Sequence, residues 1–123
     1  MASPPRLLLC EGAEDVAFFE RLITVRKLPR FRVKDTGGKK SKAAGNTRFW
    51  FALEALKTEI GIRNILIVAD NDDDPAISFR RVRQQIKRVY GDDRVPNRPL
   101  EKKGSNPSIT ILMIPWVGEC GSL

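Results

Sequence analysis

Ile65-Leu66-Ile67-Val68-Ala69 runs straight into Asp70-Asn71-Asp72-Asp73-Asp74, five apolar residues followed by four acids within five positions. An uninterrupted run of branched apolar residues of this length is the pattern of a strand buried on both faces, as parallel sheets require. The acids then fall on the turn at its carboxyl end. Carboxylates so crowded repel one another unless a divalent cation, a basic partner or solvent separates them. Two other stretches share the apolar pattern. Arg6-Leu7-Leu8-Leu9-Cys10 stops at Glu11-Gly12, a strand whose end delivers a further carboxylate, and Ser108-Ile109-Thr110-Ile111-Leu112-Met113-Ile114 stops at Pro115-Trp116.

Between these runs the period changes from continuous to helical. From Ala13 to about Lys27, Val16, Phe19, Leu22 and Ile23 recur on one face, with Glu14, Asp15, Glu20, Arg21 and Arg26 on the other, and Pro29 closes the helix. Phe31, Val33 and Asp35 alternate with Arg30, Arg32 and Lys34, which predicts a partly exposed strand nearer an edge. Asn46 suits the N-cap of a second helix, with Phe49, Leu53, Leu56 and Ile60 on one face and Gly61 at its end. Asp74 followed by Pro75 is the N-cap and first residue of a third, whose Phe79, Val82, Ile86 and Val89 face inward while Arg80, Arg81, Arg83, Lys87 and Arg88 leave the rest basic. Gly91 to Pro107 is a long polar connector without a clear period.

Strand, helix, strand, helix, strand, helix, strand is the order of an α/β layer structure, and 123 residues suffice for one domain of this kind. The expected fold is Rossmann-like and three-layered, with a largely parallel central sheet of about four strands. Crossovers of one hand bring the carboxyl ends of the first and third strands to the same rim, so Glu11 meets the acids from Asp70 onward.

Composition narrows the chemistry. No histidine is present, which removes imidazole zinc sites and histidine-based nucleophilic catalysis within this chain. The two cysteines, Cys10 and Cys120, form no Cys-x-x-Cys pair, so a reducing, cytoplasmic setting is expected. Neither a signal peptide at the first residues nor an apolar run long enough for a membrane span is found. Lys and Arg total 22 against 15 Asp and Glu, a formal charge of +7. A basic chain with one dense acidic knot fits a polyanionic partner that meets the knot through a bridging cation.

Leu7-Leu8-Leu9-Cys10-Glu11-Gly12 entering a helix, followed some sixty positions later by Ile65-Leu66-Ile67-Val68-Ala69-Asp70-Asn71-Asp72, resembles the Toprim domain of topoisomerases, bacterial primases, OLD-type nucleases and small stand-alone relatives. The paired signal is a glutamate before glycine at one strand end and Asp-x-Asp at another. The resemblance implies a Toprim fold and a Mg²⁺-dependent phosphoryl-transfer site, with Mn²⁺ as a substitute. Carried over, Glu11 is the acid/base or a metal ligand, Asp70 and Asp72 hold metal, and Asp15, one helical turn after Glu11, matches a further ligand of the OLD-type members. The implied activity is a nuclease acting on DNA or RNA. The same acids also suit a non-catalytic metal- or nucleotide-binding module of a defence or repair complex, and a protein partner.

Asp15 also lies in a first helical turn, where the helix dipole favours an acid whatever the chemistry. Gly37-Gly38-Lys39-Lys40-Ser41 fails the P-loop spacing, because Val33 stands where a glycine is needed and Lys40 where Ser or Thr is needed. It reads instead as a basic flap, whose Lys39, Lys40 and Lys42 are placed to touch nucleic-acid phosphates. Trp50 and Trp116 are candidates for packing or base stacking. Departures from the resembled family are plain. The single tyrosine, Tyr90, has no acid motif beside it, so no topoisomerase nucleophile is implied. Cys120-Gly121-Ser122-Leu123 stops where small relatives continue into an acidic helix, which implies a C-terminally truncated form.

Overall fold

Parity along the strands decides which side chain meets which layer. The computed structural model describes residues 5–36, 42–43, 46–71 and 74–114. Its elements are β1 (Arg6–Cys10), α1 (Ala13–Val25), β2 (Arg32–Asp35), β3 (Lys42–Ala43), β4 (Asn46–Thr47), α2 (Phe49–Leu56), β5 (Asn64–Asp70), α3 (Pro75–Tyr90) and β6 (Ser108–Ile114). Four strands form one sheet in the order β2-β1-β5-β6, and every neighbouring pair is parallel. The edge position of β2 is the one its alternating sequence predicts.

Odd-numbered strand residues Leu7, Leu9, Ile65, Ile67, Ile109 and Ile111 pack against Phe49 and Leu53 of α2 and Val82, Ile86 and Val89 of α3. Even-numbered residues Leu8, Cys10 and Val68 pack against Phe19 of α1, with Val16 and Leu22 beside it. The result is a Rossmann-like three-layer α/β fold, with α1 on one face and α2 and α3 on the other. Burial of such apolar side chains stabilises the fold by roughly 25 cal/mol per Å² of apolar area removed from water.

Asp74 caps α3 as its sequence requires: Oδ1 accepts the N–H groups of Ala76 at 3.0 Å and Ile77 at 3.3 Å, with Pro75 next to it. The second helix departs from expectation. Asn46 belongs instead to the two-stranded β3–β4 ladder, opposite Ala43, and α2 starts at Phe49 behind Arg48. Arg48, at its N-cap, makes no side-chain cap bond among the described residues. Gln85 of α3 reaches across to accept the Trp50 N–H at 3.0 Å, so a tertiary contact does what Asn46 was expected to do. The helix also ends early, at Leu56, leaving Ile60 fully exposed. Gly61, at φ 98°, takes the positive-φ turn that returns the chain to β5.

The connector after α3 includes a short 3₁₀ turn, Asp92–Arg94, and then runs along the outer edge of β6. Leu100 N–H donates to the Ile111 carbonyl, and Lys103 and Ile109 exchange both backbone bonds. This covers an edge strand that would otherwise offer open hydrogen-bonding groups.

Helix α1 ends two residues before the expected Lys27. Leu28 N–H reaches the Ile23 carbonyl at 3.0 Å and Lys27 N–H the Thr24 carbonyl at 3.3 Å, a Schellman arrangement that puts Lys27 at φ 52°. Glycine is the residue that suits this conformation, and a lysine there costs roughly 1 kcal/mol. Lys27→Gly is therefore expected to raise unfolding free energy by about 0.5–1 kcal/mol. Urea denaturation of the two proteins measures this, and an unchanged or lowered midpoint contradicts the cap assignment.

Candidate functional site

Glu11 and Asp70 end two adjacent parallel strands. The register pairs Leu9 with Ile67, which brings Glu11 level with the last residues of β5. Asp70 N–H donates to Glu11 Oε2 at 2.6 Å, a short charge-assisted bond that ties the two strand ends together. Residues 59 positions apart in the chain thus share one point on the sheet rim. On the neighbouring side, buried Thr36 donates its hydroxyl to the Glu11 carbonyl at 2.9 Å. Beyond β5, Asn71 N–H donates to the Ile114 carbonyl at 2.7 Å and closes the rim toward β6.

Asp15 lies in the first turn of α1, and its Oδ2 accepts the Gly12 N–H at 3.2 Å. This is the return half of a capping box, so Asp15 has a structural duty at the helix start in addition to any chemistry. Asp35 was placed by sequence only on an edge strand. The β1–β2 register sets it opposite Cys10, so β2 and β5 finish in a carboxylate and Glu11 directly follows β1 between them, at the same end of the sheet. An acid closing an apolar-alternating strand was the available signal.

The buried Cys10 thiol reports on this charge. Burial above all, then the nearby carboxylates of Asp15, Asp35 and Glu11, push its pKa up to about 12. Sγ donates to the Lys34 carbonyl at 3.5 Å and the Gly12 carbonyl at 3.8 Å. At neutral pH it is a buried, protonated thiol.

Oxygen is then the donor chemistry of this rim, which suits a hard cation such as Mg²⁺ or Mn²⁺. Among the described residues, no three of the acids close on a single point as a ready-made ligand group. Asp72, expected to complete the Asp-x-Asp pair, lies outside the described residues, as do Asp73, Lys39, Lys40, Trp116 and Cys120. Lys42 is in β3, and its side chain is likewise outside the description. Trp50 packs against the α2–α3 core, with Arg88 over its ring. No helix among the described residues is long and apolar enough to cross a membrane.

A family model described as "Protein of unknown function (DUF3226)" matches residues 5–123, nearly the whole chain. The chain belongs to this family. No curated protein and no solved structure matches it. The family description carries no activity, so the chemistry of this DUF3226 member is argued from the rim itself.

The thiol gives a pH test. The unfolded chain releases the Cys10 proton near 9.0, whereas the folded chain holds it to about 12. Between those values the unfolded state binds fewer protons, so this group's contribution to stability falls as pH rises. Urea midpoints taken from about pH 8 to about pH 10.5 are expected to drop more steeply in the wild type than in Cys10→Ala. Parallel declines contradict the assignment.

Proposed function

We propose that this protein is a Toprim-type, Mg²⁺-dependent phosphoryl-transfer enzyme, a nuclease acting on the phosphodiesters of DNA or RNA. The observation that carries the reading is the 2.6 Å bond from the Asp70 backbone N–H to the Glu11 carboxylate, which joins the ends of β1 and β5 on the rim where α/β sheets place their ligands. Glu11 and Asp70 would hold the cation with Asp72, and Asp15 would lie next to them. When bound, a divalent ion at such a site stabilises charge on a transferring phosphoryl group and lowers the pKa of a water molecule.

The chain's own groups have distinct tasks. Glu11 is fixed by a backbone donor, which keeps its carboxylate an acceptor in a defined place, as a general base or bridging ligand requires. Cys10 keeps sulfur out of the site by pointing its thiol at backbone carbonyls. The +7 charge of the chain draws a polyanion toward a rim that, without a cation, would repel it. Lys39, Lys40 and Lys42 are assigned to substrate steering on their sequence alone. A cytoplasmic setting is assigned on the sequence alone, from two cysteines that form no Cys-x-x-Cys pair.

Purified protein, given Mg²⁺ or Mn²⁺ and single- or double-stranded DNA and RNA, is expected to cleave at least one of them. Glu11→Gln and Asp70→Ala are each expected to lower the rate by about 100-fold or more. Failure of the wild type on every substrate, or undiminished cleavage by both variants, rejects the nuclease reading.

A further inference from the structure

We propose that the solvent face of α3 is the surface along which the nucleic-acid backbone lies, bound through its phosphates without regard to sequence and without need of the divalent cation. This deepens the phosphodiester reading and rests on it for the identity of the ligand. The helix carries five cations, Arg80, Arg81, Arg83, Lys87 and Arg88, and no acid between Pro75 and Tyr90. At 100° per residue, Val82, Ile86 and Val89 fall on the buried side, and Arg80, Arg81, Lys87 and Arg88 are all exposed. Arg83 is committed to the Pro96 carbonyl at 2.8 Å, and Lys87 has an exposed ion pair with Asp92 at 3.5 Å. Arg80, Arg81 and Arg88 have no ion-pair partner among the described residues.

A solvated helix ordinarily interleaves acids with its bases, because pairs of opposite charge four residues apart support it and like charges weaken it. Here Arg83 and Lys87 stand four apart with the same sign; the helix dipole accounts for Lys87 and Arg88 in the last turn, but not for Arg80 and Arg81 further back. A polyanion does. The Arg88 guanidinium sits 3.8 Å from the centre of the Trp50 ring, and Trp50 is itself positioned by Gln85. Stacking holds the guanidinium while leaving its N–H fork to address a phosphate, which a lysine in that place does less well.

Position supports the same occupant. Helix α3 begins just after the end of β5, so its first turns lie beside the acidic rim and the arginines lead away from it. From Arg80 to Arg88 is about 12 Å along the axis, or three to four phosphate steps of a duplex strand at about 3.4 Å each. A backbone tracked along α3 is thereby directed to Glu11 and Asp70.

Fluorescence anisotropy with labelled DNA and RNA oligonucleotides in EDTA tests this apart from catalysis. The wild type is expected to bind, with affinity falling steeply as salt rises. The triple variant Arg80→Gln, Arg81→Gln, Arg88→Gln is expected to bind at least about tenfold more weakly, with the log–log salt slope reduced by about 0.9 for each arginine that meets a phosphate. A charge-matched control, Arg21→Gln, Arg26→Gln, Arg30→Gln on the α1 side, should stay near wild type. Arg88→Lys should lose affinity while its slope changes little. Circular dichroism melts confirm that each variant is folded. Absence of wild-type binding, equal losses in the two triple variants, or preference for anionic lipid vesicles over every oligonucleotide overturns the proposal. Binding lost in the α3 variant with no cleavage by any form keeps this surface and removes the nuclease reading; cleavage with an unaffected α3 variant does the reverse.

Discussion

The pairing of β1 with β5 is the constraint on which the rest of the molecule depends. Both strands are central, both are buried on two faces, and they come from distant parts of the chain. Their parallel direction forces both carboxyl ends to one rim, and their register sets Glu11 against the end of β5. The short bond from Asp70 N–H to Glu11 is therefore a product of core packing rather than of any local motif. Shifting the register by one residue would turn the inward set Leu7, Leu9, Ile65 and Ile67 to the wrong layer, so the core itself protects the alignment of the acids.

The rim sets negative charge against an otherwise basic molecule. Asp35 and Asp70 end β2 and β5 and Glu11 follows the end of β1 between them, while α3 descends from the same rim with arginines on its solvent face. Cys10 beneath these acids is held protonated by burial and by their field. Acids alone would repel phosphate; arginines alone would bind it without acting on it. On the proposed reading the two surfaces divide attraction from reaction along one path.

The sequence revealed the elements whose signals are local and strong. Leu7–Leu9 and Ile65–Ala69 are apolar without interruption, and Ile109–Ile114 is broken only by Thr110, because both sides of a parallel sheet are covered, and their bounds were legible to within a residue. Asp74-Pro75 was legible because cap and first-turn chemistry are contiguous. Contacts between distant residues were not. Asn46 carries the right side chain for a cap, but its backbone is taken by the ladder with Ala43, and Gln85, 35 residues from Trp50, supplies the missing acceptor. Ile60 continues a helical period that the chain abandons in order to turn at Gly61. Asp35 joined the rim only once the register with Cys10 was fixed. Asp15 lies in the first turn of α1, and its bond to Gly12 gives it a helix-capping role.

The central claim is that Glu11 and Asp70 share one hard cation at the sheet rim. Anomalous diffraction from crystals soaked in Mn²⁺ tests it most directly, since the ion's position and its ligands come from one map. The account predicts a single strong peak at coordination distance from a carboxylate oxygen of each residue. Manganese bound elsewhere on the molecule, with none at these two strand ends, would contradict it.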